Sequence, residues 1–399
     1  MKIYSKYVLF IFFAIFTAIT LTACARSSAI DSAADDSYEI SNAENVFNQN
    51  YQVCGFIVDV TRYSHLPEFD ESGVVLSNVC KNRGRVIISE TGGDPYIACD
   101  VDLPEEDNGV SETTSKNDSK SYANELTQFA RSLEPTAPEN DILNCISLTL
   151  RKMSVYGGNQ ALVIESPGIF TTGAVDMSHV MSLDADSLVE KLSEINSIPH
   201  IEGDVTVIWI GLGEPTGDQP EPSDNDYYKL ESFYRAYFTA AGAKDIIFIP
   251  LGRCTDSGSD SLPEVSVYEF PNISILSEDN VEFECDSSSF KDPDKAAAAI
   301  SSIASNYNVG DTVLVAGFAS SEGDYNHNLA LSKERAMTVA DILEDIGLNP
   351  SFTGLGYDPK YCIEDTVNGV LDAEKASKNR KIIVMKYDST EAQSIIRMN

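Results

Sequence analysis

The sequence predicts an α/β protein, a doubly wound and mostly parallel sheet followed by a smaller α+β sandwich. Three observations predict it. Between Tyr51 and Leu251, five short apolar runs alternate with stretches of helical periodicity. Those runs are apolar almost without interruption, as strands covered on both faces should be. Beyond about Val265 a second series of helix and strand signals begins, ending on the apolar run Lys381–Lys386.

The chain opens MKIYSKYVLFIFFAIFTAITLTAC. Lys2 and Lys6 precede an uncharged run from Tyr7 to Ile19, the pattern of a secretory signal. Leu21-Thr22-Ala23-Cys24 resembles a bacterial lipobox, which implies cleavage after residue 23 and lipidation of Cys24. A plain transmembrane anchor is the competing reading, but the run is short of the roughly 20 apolar residues a span prefers. The acyl chains on Cys24 would hold the protein to a membrane, since stable attachment takes more than one chain. Residues 24–50 are small and acidic with no apolar face, and read as a flexible tether.

The chain carries 28 basic and 62 acidic residues, a net charge of −34. Loss of Lys2 and Lys6 with the signal makes the remainder two charges more negative. Such a surface repels phosphate backbones and excludes nucleic-acid binding as a function. Four histidines offer little for a histidine metal site. Seven cysteines remain beyond Cys24, an odd number, with no pair at metal-ligand spacing. Cys145, in the apolar helix pattern ILNCISLTL, reads as unpaired; the connectivity of the others is open.

Residues 51–258 form the first predicted domain. Its strands are expected at Phe56–Val60, Arg85–Ser89, Ala161–Glu165, Val205–Ile210 and Ile246–Ile249. Its helices are expected at Tyr122–Leu133, Asp141–Met153, Ala185–Ile195 and Tyr227–Ala241, the last with Gly242 placed to end it. The polar stretches 103–121 and 213–226 read as surface loops. In such sheets ligands bind at the carboxyl ends of strands. The loop there is DVTRYSHLPEF, from Asp59. It resembles the first metal-ligand loop of von Willebrand factor A-like domains, whose pattern is Asp-x-Ser-x-Ser. That resemblance implies a magnesium site with Asp59 and Thr61 as ligands. Tyr63 stands at the third place with Ser64 one residue late. Thr136 is the candidate for the family's later threonine. Ser166-Pro167-Gly168 lacks the family's carboxylate. The expectation is therefore no working metal, with Asp59 an ordinary acid at a strand end.

Residues 264–390 form the second predicted domain, and 391–399 a C-terminal tail. Asp292-Pro293 announces a helix, with Asp as cap and Pro at the first helical position. The strand DTVLVAGF follows, and then a polar loop into a helix expected from Ser332 to Gly347. Gly317, Gly323, Asn328, Leu331-Ser332-x-x-Arg335-Ala336, a Gly354/Gly356 turn and Asn379-Arg380 run through in order. This series resembles the C-terminal domain of OmpA-like proteins, a peptidoglycan-associating module of two helices against a small mixed sheet. The resemblance implies a grip on the zwitterionic diaminopimelate of the wall peptide, an aspartate meeting its ammonium and an arginine its carboxylate. Arg335 stands at the arginine; Ser320 stands where the aspartate belongs. Glu322, Asn328 and Arg380 complete the candidate site, with Glu322 or Asp324 able to supply negative charge. The bland reading of Arg335 is a helix-surface residue paired with an acid.

No nucleophile elbow, phosphate loop or His-Glu-x-x-His stretch appears, so no catalytic activity and no cofactor are expected. The expected function is a lipid-anchored envelope protein on the non-cytoplasmic side of a bacterial membrane. It would bind peptidoglycan through the second domain and another envelope protein through the first. The alternative is an assembly or adhesion component that binds proteins only.

Overall fold

The computed structural model describes residues 46–65, 72–105, 110–251 and 262–398. Cys24, the signal segment, most of the tether and Cys254 lie outside them. Phe47–Asn399 forms one compact unit.

The first sheet comprises β1 (Val53–Val58), β2 (Arg85–Glu90), β3 (Tyr96–Asp102), β4 (Gln160–Glu165), β5 (Val205–Ile210) and β6 (Asp245–Ile249). Their order is β3-β2-β1-β4-β5-β6. All neighbours pair in parallel except β3, which runs antiparallel along one edge. The connections run outward from β1 on both sides, so the joint between β1 and β4 is the topological switch point. The expected strands are present. β1 begins three residues early and ends at Val58, which leaves Asp59 just beyond its carboxyl end. β3 had no signal, because its residues are half-buried rather than apolar and sheltered.

Helices α1 (Gly73–Lys81), α2 (Glu112–Arg131), α3 (Ile142–Met153), α4 (Met177–Ser182), α5 (Ala185–Glu194) and α6 (Asp224–Ala241) connect the strands. Side-chain caps fix several starts: Asp141 accepts from Asn144 N, Asp184 from Ser187 N and Ser223 from Asp226 N. Gly242 ends α6 at φ 95°, as its position predicts. The stretch 103–121 is not all loop. α2 starts at Glu112, capped by Ser111 and supported by a Glu112–Lys116 pair at 2.6 Å. It buries only Ser119, Leu126 and Ala130, so its first turns carry no apolar stripe to read.

The second sheet has β7 (Ser274–Ser277), β8 (Thr312–Phe318), β9 (Asn349–Gly356) and β12 (Lys381–Lys386), in the order β7-β12-β8-β9. β12 is antiparallel to both neighbours, and β8 and β9 are parallel. A short hairpin, β10 (Thr366–Val367) and β11 (Val370–Leu371), precedes α9 (Ala373–Asn379). Two helices pack on one face, α7 (Pro293–Ala304) and α8 (Tyr325–Ile346). Asp292 caps α7 and accepts from Lys295 N, and Gly347 ends α8 at φ 104°. α8 starts at Tyr325 behind an Asp324 cap, seven residues before the expected Ser332. Gly354 and Gly356, expected as a turn, close β9 instead.

The strands of this sheet alternate between two cores. Val313, Val315, Ile382 and Val384 face α7 and α8. Leu314, Ala316, Phe318, Ile383 and Met385 join one cluster with Trp209, Leu230 and Tyr234 of the first lobe. Residues of the two sheets thus share one core cluster. α10 (Thr390–Met398), in the segment expected as a tail, adds Ala392 and Ile395 to the same cluster. Among the described residues no helix is long and apolar enough to cross a membrane.

Candidate functional site

Two places collect polar side chains. The first is the switch point of the large sheet. Asp59 is 1% exposed. Its Oδ1 accepts from Thr61 N at 3.1 Å and Thr61 Oγ1 at 2.7 Å. Its Oδ2 accepts from Asn140 Nδ2 and from Ser166 Oγ, each at 2.7 Å. Thr61 Oγ1 lies 3.1 Å from Ser64 Oγ, and Ser166 Oγ accepts from Gly168 N. Four donors thus occupy the two carboxylate oxygens, two of them N–H groups that cannot coordinate a cation. Thr136 is elsewhere, donating to the carbonyl of Asp94 from the surface; Asn140 takes the place expected for it. Among the described residues no group of three or more His, Cys, Asp or Glu could hold a metal. The cysteines there are all unpaired, and Cys145 Sγ donates to Glu90 O. Glu90 lies beside this cluster, fully buried; its Oε1 accepts from Gly92 N, and among the described residues its Oε2 has no hydrogen-bond partner.

The second place is one end of the small sheet, where β7 and β8 finish and β12 begins. Lys381 pairs with Ser277 and Ile382 with Gly317 across this end. α8 lies close over it because β8 and β9 present glycines. A Cβ at Gly317 would meet Ser332 O at 2.0 Å, and one at Gly354 would meet Lys333 N at 2.4 Å. The Leu-Ser-x-x-Arg stretch is thereby seated directly on the strands.

Arg335 is 7% exposed. Its Nε donates to Ser287 O at 2.9 Å and its Nη2 to Glu284 O at 3.4 Å. Its guanidinium stands 4.9 Å from the centre of the Phe283 ring. Those partners belong to the loop after β7, folded back on itself by Glu284 N→Ser289 O and Lys291 N→Glu282 O. Burial lowers the pKa of Arg335, though a guanidinium stays charged. Because α8 starts at Tyr325, Arg335 sits nearly three turns in, at 3.6 residues per turn. The helix N-terminus therefore gives it no help with an anion, and the expected surface pairing with an acid is replaced by carbonyls and a ring.

Arg335, Arg380, Lys381 and Glu278 line one small cavity, with Phe283 and Phe318 in its wall, partly open to solvent. Arg380 forks onto Glu278, with Nε 2.9 Å from both carboxylate oxygens and Nη2 2.7 Å from Oε2. Lys381 Nζ donates to Ser182 O at 3.3 Å, and burial lowers its pKa.

Of the expected site residues, the structure brings Arg335 and Arg380 to this cavity. Ser320, Glu322 and Asn328 do not line it. Ser320 is buried in the neighbouring loop, and Glu322 points to solvent. Asn328 shapes that loop, donating to Glu322 O at 2.7 Å and Ser320 O at 3.3 Å. The carboxylate that holds this loop is Asp365, just before β10, which accepts from Ser321 N and from Asn379 Nδ2. Sequence reasoning missed Lys381 and Glu278. The signal for Lys381 was a cation opening an otherwise apolar buried strand; Glu278 had none.

No family model matches the chain, and no curated protein matches it. Solved structures do. The periplasmic domain of Helicobacter pylori MotB is 18% identical and covers 32% of this chain and 80% of its own, with a TM-score of 0.24. The cell-wall anchor of the T6SS from Pseudomonas aeruginosa is 24% identical over 29% of this chain and 79% of its own, with a TM-score of 0.22. The peptidoglycan-associated lipoprotein of Burkholderia pseudomallei is 24% identical over 26% of this chain and 86% of its own, with a TM-score of 0.21.

Proposed function

We propose that this is a non-catalytic cell-envelope protein, held to a membrane by lipid on Cys24, whose C-terminal part associates with peptidoglycan. One observation carries the reading. The Leu331-Ser332-x-x-Arg335 segment is seated on Gly317 and Gly354, and its arginine lines a cavity at the sheet end. That is the arrangement the OmpA-like resemblance implies, and a buried guanidinium in a small cavity suits a carboxylate of the wall peptide. The large sheet, with a von Willebrand factor A-like loop whose Asp59 is fully engaged by the chain itself, would meet another envelope protein.

Co-sedimentation of the purified protein with isolated sacculi, beside Arg335→Ala, tests it. A second reading, binding of proteins only, is favoured by one fact: the chain's own carbonyls already take two donors of Arg335. Protein that stays in the supernatant with sacculi would establish that second reading.

A further inference from the structure

Residues 263–270 join the two lobes and have no helix or strand of their own. They cross the carboxyl end of the large sheet, the face where open α/β sheets bind ligands. Three alternate residues reach three loops there. Glu264 pairs with Arg62, in the loop after β1, at 3.2 Å. Ser266 donates to both oxygens of Glu139, just before α3: N to Oε2 at 3.2 Å and Oγ to Oε1 at 2.8 Å. Tyr268 N donates to Gln219 Oε1 at 2.9 Å, and Gln219 Nε2 donates back to Tyr268 O at 2.8 Å. Gln219 is buried in the loop between β5 and α6. The rings of Tyr268 and Phe270 stand edge to face at 5.2 Å and pack against the core cluster.

A linker needs only length, and this contact has more. Among the described residues no backbone-to-backbone hydrogen bond holds 264–270. Side chains of the first lobe take the segment at a spacing of two, as sites for extended peptides take alternate residues. Glu139 has φ 78°, left-handed backbone that a residue with a side chain adopts at a cost. In that geometry its two carboxylate oxygens both serve one serine.

We propose that Arg62, Glu139 and Gln219 form a peptide-binding face that the chain's own residues 264–270 fill. The partner is an extended segment of another envelope protein, with an acid, a serine or threonine, and an aromatic at alternate positions. This rests on the reading that the large sheet meets another envelope protein, and it names where and by what chemistry. Gln219 takes backbone atoms only, so it sets register. Glu139 selects a hydroxyl. The Arg62 pair, whose glutamate is 86% exposed, steers more than it binds. The internal segment is a competitor. Tethered at both ends, it meets the face at an effective concentration on the order of millimolar, and a partner must exceed that to displace it.

The probe is the labelled peptide LPEVSVYEF, the chain's own residues 262–270, titrated by fluorescence polarisation into the purified full-length protein. Ser266→Pro removes both donors to Glu139 and weakens the internal competitor. It should bind the peptide at least tenfold more tightly than the parent does, as expected for lost hydrogen bonds to a charged acceptor. Adding Glu139→Gln to that variant should cancel the gain. A peptide with proline at the serine position should bind at least tenfold more weakly than the probe. Hydrogen exchange in the parent needs no variant to fold. The peptide at about millimolar concentration should speed exchange of the Ser266 and Tyr268 amides, because displaced amides lose their acceptors. No acceleration there, or equal peptide affinity in parent and Ser266→Pro, overturns the proposal. Cross-linking in cells separates it from the reading beneath it. An envelope protein cross-linked to the large-sheet lobe, with amide exchange unmoved by the peptide, overturns this face alone. No cross-linked protein and no peptide response removes both.

Discussion

Ser166 Oγ donates to Asp59 Oδ2 at 2.7 Å, across the joint where β4 lies beside β1. A hydroxyl stands where the metal-binding pattern has its second carboxylate, and it binds the first carboxylate directly. With Thr61 and Asn140 it completes a closed set of donors. The first expected outcome concerns this set. Asp59→Ala strands the buried donors of Asn140 and Ser166, at a cost of about 3 kcal/mol in a denaturant melt. Magnesium should leave the parent's melt unchanged. Micromolar magnesium binding that vanishes in Asp59→Ala would show that the cluster is a metal centre after all.

Glu90 sets a pH dependence. Burial, with a smaller contribution from the charge of Asp59, pushes its carboxyl from 4.5 up to about 7, against the pull of Gly92 N–H. A raised carboxyl binds its proton more tightly when folded. Its stabilising effect is therefore complete below about 4.5 and is lost as pH rises toward 7. At about 1.4 kcal/mol per pH unit the loss approaches 3 kcal/mol. Glu90→Gln should flatten this slope and be the more stable protein at pH 8. A variant whose melt follows pH as the parent's does would rule Glu90 out as the source.

Gly317 is held by contact rather than by backbone angle. Its missing Cβ leaves room for the carbonyl of Ser332, which a methyl would meet at 2.0 Å. Gly317→Ala should cost about 3 kcal/mol by forcing α8 off the sheet, and should lower sacculus binding with it. Wild-type stability in this variant would mean that α8 sits farther from β8 than described.

Arg335→Ala should lower sacculus binding by about one to two decades, the loss of a charge-assisted contact. The drop should shrink at high salt, where the electrostatic part is screened. Unchanged sedimentation would leave Arg335 as a clamp for the loop carrying Phe283 and Ser287, with no part in binding.

Cys24→Ala should release the protein from the membrane fraction or leave an uncleaved precursor. Fractionation with an immunoblot for size checks both. Unchanged association at unchanged size would remove the lipid anchor from the reading.

The sequence by itself determined the parts that depend on neighbouring residues. Apolar runs marked five strands of the large sheet, and α3, α5 and α6 were legible from caps and periodicity, because propensity and periodicity act over a few residues. Gly317, Ser332 and Arg335 could be read as one unit, because their spacing is a property of one strand, loop and helix. Only the tertiary structure decided the rest. α2 and β3 bury too little to leave a pattern. Nothing in the string says that Asn140 lies against Asp59, or that the second face of the small sheet is covered by the first lobe. Arg380 and Glu278 are 102 positions apart and meet only because β12 returns between β7 and β8. Whether a cation is paired depends on what long-range packing brings within a few ångströms, and local sequence does not carry that information.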